Sequence, residues 1–104
     1  VAPKHKIYDE PKNIFYVSSK FAVNGLTKYF ATMYGKKLNI NTIACHGVAW
    51  KQPSNFKKKL IQHIPKKRMM NVEDLYGVMD LFCSKKNKFI NGSTIIIDGG
   101  YTAW

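Results

Sequence analysis

Residues 15–31 read FYVSSKFAVNGLTKYFA. From Tyr16 to about Tyr34 the apolar side chains Phe21, Leu26, Tyr29, Phe30 and Met33 recur at helical spacing, and Gly35 followed by Lys36 and Lys37 supplies a stop. The spacing predicts an amphipathic helix with Tyr16 and Lys20 four residues apart at its start. Four residues is one turn, so phenol and ammonium share a face. A free Tyr titrates near about 10 and is a poor proton donor or acceptor at neutral pH, whereas a neighbouring ammonium favours the phenolate and lowers that value. Such a pair suits general acid/base chemistry, with Tyr16 moving a proton to or from a substrate oxygen. The same spacing is common on ordinary solvated helices, and spacing alone does not separate the two readings.

Upstream of this helix, residues 1–14 carry Pro3, Pro11, the Asp9–Glu10 pair and Asn13 with no sustained period, and read as a loop. Downstream, residues 38–44 alternate and are rich in β-branched side chains. They predict a strand that runs into Cys45-His46-Gly47, a glycine-bearing turn of the kind that often meets ligands. After a loop over 48–55, Phe56, Leu60, Ile61 and Ile64 predict a short amphipathic helix ended by Pro65, with Lys57, Lys58 and Lys59 toward solvent. Asn71 then caps a further helix with Glu73 and Asp74 in its first turn, and Val72, Leu75, Met79, Phe82 and Cys83 form its expected buried stripe. Ser93–Ile97 is a β-branched run that predicts a parallel strand covered on both faces, closed by Asp98-Gly99-Gly100. The order helix, strand, helix, helix, strand is that of an α/β protein.

At 104 residues the chain is at most one domain, and its 45% hydrophobic and 13% aromatic content lies in the globular range. Lys and Arg outnumber Asp and Glu by 17 to 6, a net charge of +11. That excess invites a nucleic-acid or anionic-surface partner. Against it, every basic residue but Arg68 is a Lys, and Arg is the residue that bidentate phosphate or base recognition prefers. A solvated basic surface is the simpler reading, with nucleic acid an unexpected partner. Cys45 and Cys83 form no C-x-x-C pair, so neither a metal site nor a disulfide framework is indicated, and a reducing cytoplasmic compartment is expected. No apolar run approaches the roughly 18 residues of a membrane span.

The segment Tyr16-Val17-Ser18-Ser19-Lys20-Phe21-Ala22-Val23-Asn24-Gly25-Leu26-Thr27-Lys28 resembles the active-site helix of the short-chain dehydrogenase/reductase family. The likeness continues in order through Asn39–Ala44 as the next parallel strand, Lys67–Leu75 as a late helix start, and Phe89–Gly92 with Ile95–Gly100 as the closing turn and strand. Several details are similar to the branch acting in flagellin modification and nonulosonic-sugar biosynthesis. The resemblance implies the C-terminal part of a Rossmann-like doubly wound parallel sheet. It further implies NAD or NADP as cofactor and hydride transfer at a carbinol or carbonyl carbon. Tyr16 is then the acid/base, and Lys20 lowers its pKa and holds the nicotinamide ribose. Gly47 and the backbone of Val48 pack on the nicotinamide, and dimers or tetramers are implied for the full-length protein.

Two departures stand out. The family has Pro-Gly where this chain has Cys45-His46 before Gly47, which loosens the loop and puts a side chain near the cofactor. His46 is either a loop residue or a proton carrier, and Cys45 has no identifiable base to make it a nucleophile. The family's glycine-rich dinucleotide turn and its catalytic Ser and Asn belong upstream of these residues. The expectation is therefore the C-terminal portion of a longer oxidoreductase, inactive in isolation and prone to associate. Trp50, Gln52, Asn55 and Phe56 of the variable loop are expected on the substrate side, which suggests a bulky polar substrate such as a nucleotide-linked or acidic sugar. The competing readings are a small basic anion- or nucleic-acid-binding module using the lysine-rich clusters at 57–59, 66–68 and 85–88, and an inactive remnant.

Overall fold

A computed structural model of the chain describes residues 4–103. A single 3-10 turn, His5–Ile7, precedes helix α1, Ile14–Tyr34, and strand β1, Thr42–Cys45. Helix α2, Ser54–Ile61, follows; a 3-10 turn, Val72–Leu75, then runs into α3, Tyr76–Cys83, and the chain returns to strand β2, Thr94–Ile97. β1 and β2 pair in parallel, with Thr42 opposite Thr94 and Cys45 opposite Ile97. The helix–strand–helix–helix–strand order expected from the sequence is the order observed.

Helix α1 starts where Asn13 Oδ1 accepts the backbone N–H of Phe15 at 2.8 Å, satisfying one of the free donors of the first turn. The strand after it begins four residues later than the alternation predicts. Asparagine side chains explain the delay: Asn91 Oδ1 accepts from Ile40 N–H at 2.8 Å, and Asn41 bridges Ile90 carbonyl and Ser93 N–H at 2.8 and 3.0 Å. Side chains thus hold residues 40 and 41 where a strand ladder was expected.

Two packing expectations, for α3 and for the strand pair, are corrected, and α1 leaves its apolar stripe open. Helix α1 buries Thr27 and Ala31, while Phe21, Leu26, Tyr29, Phe30 and Met33 are exposed. Its small-residue face is the one that approaches the sheet. Thr27 Oγ1 meets Thr42 Oγ1 at 2.5 Å, and a Cβ added at Gly92 would contact Ala31 Cβ at 3.4 Å. Helix α3 buries Val78, with Val72, Met79 and Cys83 exposed and Leu75 and Phe82 half-buried. The tighter 3-10 turn ahead of it rotates the following residues relative to a 3.6-residue repeat. The strand pair is incompletely covered, with Ile96 55% exposed, because α1 touches the sheet at Thr42 and Thr94, the start of both strands.

The principal core joins Ile7, Leu60, Ile64, Met69 and Tyr101, with Tyr8, Ala49, Phe56 and Ile61 packed around them. Ile7, on the stretch read as a loop, is 2% exposed, so that stretch anchors the core and closes one wall of the cleft described below. At the end of β2, Asp98 accepts hydrogen bonds from Gly100 N–H, Thr102 N–H and Thr102 Oγ1, folding a turn with Gly99 and Gly100 at φ 64° and 90°. A Cβ on Gly99 would lie 2.9 Å from Ile64 Cγ2, and one on Gly100 2.8 Å from Pro65 Cγ. Glycine is required at both by conformation and by close approach. Among the described residues no helix is long and apolar enough to cross a membrane.

Candidate active site

The C-terminal ends of the two parallel strands, where ligands gather in open α/β sheets, border a cleft of about 450 Å³. Leu60, Met69 and Tyr101 supply its apolar floor, and Tyr8, Lys12, Tyr16, His46, Gln52 and Asp98 are among its polar groups. Tyr16 stands in the first turn of α1, 53% exposed, with its ring on the cleft. The ammonium of Lys20 lies 5.5 Å from the centroid of that ring, so the turn of helix brings the two together as the spacing predicts. Ser19 Oγ donates to the carbonyl of Tyr16 at 2.8 Å and stays with the helix backbone.

Gln52 shapes the loop after β1 from both sides. Its amide donates to the Val48 carbonyl at 2.9 Å and its Oε1 accepts from Trp50 N–H at 2.7 Å. Ala49 N–H donates to the Met70 carbonyl at 2.7 Å, tying the loop to the residues that follow α2. Gly47 lines the cleft. Of the substrate-side residues expected from the sequence, Phe56 lines the cleft and its ring meets Tyr8 at 5.6 Å between centroids. Trp50 lies outside it, 76% exposed.

His46 is half-buried and packs on Tyr101, ring centroids 4.7 Å apart. Its Nδ1 is buried without a hydrogen-bond partner. Burial pushes the imidazole below its ordinary pKa by more than the Gly47 backbone and the charge of Asp98 raise it. Burial also pushes the Asp98 carboxyl upward, but hydrogen bonds from Thr102 and the turn backbone, with His46 nearby, outweigh it and hold Asp98 below the usual carboxylate value. Desolvation raises the phenols of Tyr8 and Tyr101. On the far side of His46 lies a second cavity of about 190 Å³, where Arg68 makes a bidentate pair with Asp74 at 2.6 and 2.7 Å. That pair holds the Asp74 carboxyl well below the usual range, and Asp74 also accepts from the N–H of Asn71.

Tyr8, Lys12 and Tyr101 are cleft residues that the sequence reading did not single out. Tyr8 and Lys12 sit in an aperiodic stretch that gave no signal, whereas Tyr101, directly after Asp98-Gly99-Gly100, could have been found from that turn. Part of the lysine clusters is engaged within the chain: Lys59 pairs with Asp9 at 3.2 Å, and Lys57 and Lys67 donate to the carbonyls of Trp50 and Gln62.

A family model described as enoyl-(acyl carrier protein) reductase matches residues 5–102. The post-translational flagellin modification protein A of Campylobacter coli is 27% identical over 104 residues, covering 96% of this chain and 41% of that protein. A short-chain dehydrogenase from Leptospira borgpetersenii, crystallised with NAD+, superposes with a TM-score of 0.86 at 30% identity, over 96% of this chain and 39% of its own. A gluconate 5-dehydrogenase from Burkholderia cenocepacia, in complex with NADP and tartrate, superposes with a TM-score of 0.83 at 25% identity, over 93% and 41%. The chain thus spans about two fifths of the length of these proteins.

Proposed function

The chain belongs to the short-chain dehydrogenase/reductase family, and from that premise we propose that the protein is an NAD(P)-dependent oxidoreductase acting on a polar, sugar-like small molecule. The observation that carries this reading is Tyr16, placed on the cleft at the C-terminal ends of β1 and β2 with the Lys20 ammonium 5.5 Å from its ring.

The residues present suit a nicotinamide. With His46 packed against Tyr101, the cleft keeps about 450 Å³, within the range of small-molecule sites. Gly47 brings no side chain beyond its backbone to the cleft wall, and Gln52 ties down the Val48 carbonyl, so the loop whose backbone would meet the carboxamide is held in place. Lys20 would hold the ribose. The cofactor, when bound, supplies or accepts the hydride. In the reducing direction the Tyr16 hydroxyl gives its proton to the substrate oxygen as the carbonyl carbon gains hydride; in the oxidising direction Tyr16 takes the proton back. Phe56 and Tyr8 border the substrate's side of the cleft. The gluconate 5-dehydrogenase neighbour supports the sugar-like class, and the exposed apolar side chains of α1 support a homo-oligomer at full length. Two free cysteines suit a cytoplasmic setting.

Steady-state kinetics of the full-length protein test this. Tyr16→Phe is expected to lower kcat by about 10²–10⁴-fold while NAD(P)H still binds, the usual effect of removing a general acid/base. Lys20→Ala is expected to weaken cofactor binding and kcat together. Unchanged turnover in Tyr16→Phe contradicts the assignment.

A further inference from the structure

The charge on the walls of the cleft is uneven. Lys12 contributes an ammonium at the wall formed by the N-terminal segment, four residues ahead of Tyr16, and its Nζ lies 4.5 Å from the centroid of the Tyr8 ring. Among the described residues Lys12 has no carboxylate partner, in contrast to Lys59 with Asp9 and Arg68 with Asp74. The single acidic side chain lining the cleft, Asp98, already accepts from Gly100 N–H, Thr102 N–H and Thr102 Oγ1. His46, whose imidazole burial keeps toward the neutral form, adds no opposing charge. An ammonium restrained by an aromatic face, beside a proton-transferring phenol and without a counter-ion, is arranged to receive an anion.

From this we infer that Lys12 sets substrate choice: the substrate carries an anionic group, a carboxylate or phosphate, that Lys12 receives while the reacting carbon faces Tyr16. The inference rests on the oxidoreductase reading above and names the substrate class of that same site. Tyr8 acts as a positioning residue, since its ring limits where the Lys12 side chain can go and its neighbour Phe56 fixes the ring. A Lys at this place favours a single charged end of the substrate over a neutral polyol, because the ammonium is a point charge with no acceptor capacity.

The test uses full-length protein with NAD+ and NADP+ and alcohols paired by carbon skeleton but differing in charge: D-gluconate against D-glucitol, glucose 6-phosphate against glucose, and lactate against 1,2-propanediol. The expected result is a kcat/KM at least about tenfold higher for the anionic member of the turned-over pair, as a charged hydrogen bond supplies. Lys12→Ala is expected to bring that ratio toward one through KM, Lys12→Arg to restore most of it, and nicotinamide fluorescence titration to show that the Ala variant still folds and binds cofactor. Preference for carboxylate over phosphate pairs, or the reverse, identifies the anion. Equal use of neutral and anionic members, turnover of none of them by a cofactor-binding protein, or an unchanged ratio in Lys12→Ala overturns the inference. Absence of cofactor binding in the unmutated protein is separately visible, and it removes the oxidoreductase reading together with this one.

Discussion

At position 46 a histidine occupies the turn that leaves β1, with Nδ1 buried and unpartnered and the ring against Tyr101. Because burial lowers its pKa in the folded protein below the ordinary 6.5, the unfolded chain binds the proton more readily. The contribution to stability is therefore complete above pH 6.5 and declines as the pH falls from there through the lower folded-state value. Urea unfolding at pH 7.5 and pH 5.5 checks this: the protein is expected to lose stability on acidification, and His46→Gln to lose less over the same interval. An identical loss in both contradicts the burial account, since the charge repulsion of a +11 chain remains in the variant. The sequence shows why Tyr16 and Lys20 were legible and His46 was not. The first two sit in register on one helix, so their proximity follows from helical geometry alone. The surroundings of His46 come from Asp98 and Tyr101, some fifty residues on, and no local pattern announces them. Lys67 makes the same point from the backbone: its φ of 52° belongs to a residue class that favours glycine, and nothing in Lys66-Lys67-Arg68 signals it.

Among the elements, the joint between the end of α1, the start of β1 and the entry to β2 is held by side chains. Asn91 accepts from Ile40 N–H at 2.8 Å and donates to the Ala31 carbonyl at 3.0 Å, so one amide ties the entry to β2 to the end of α1 and the approach to β1, more than fifty residues earlier. Beside it, Gly92 N–H donates to the Ile40 carbonyl at 2.8 Å. Asn91→Ala leaves the partly buried Ile40 N–H without this partner, removes the bond to the Ala31 carbonyl and is expected to lower unfolding stability by about 1–3 kcal/mol, read from urea midpoints with an unchanged slope. A loss below a few tenths of a kcal/mol contradicts the role given to this joint. Element type and order were readable because strand and helix periods differ and the breakers Gly35, Pro65 and Gly92 separate them. Faces were less so: α1 carries large apolar residues on the sides away from the strands, and periodicity reports a stripe without saying what lies against it. The shift from Met79 to Val78 in α3 arises from a 3-10 first turn that a 3.6-residue repeat does not anticipate.

Over the whole molecule, the radius of gyration of 15.7 Å exceeds the roughly 13 Å of a compact chain of this length. The accessible surface of 8139 Å² likewise exceeds the about 6,000 Å² expected from its mass. The excess is accounted for by the open faces of α1 and of the strand pair, and it accords with a chain spanning about two fifths of its relatives' length. In the function proposed above, these residues would contribute the Tyr16–Lys20 turn, the loop through Gly47 and Val48 and a substrate-side wall at Tyr8 and Phe56. Whether this cleft works on a nicotinamide cofactor is read by titrating the full-length protein with NADH and NADPH and following energy transfer from protein aromatics to the nicotinamide. Saturable transfer with one of the two cofactors, weakened at least about tenfold by Lys20→Ala, is the predicted result. No saturable transfer with either cofactor, or binding indifferent to Lys20, contradicts it.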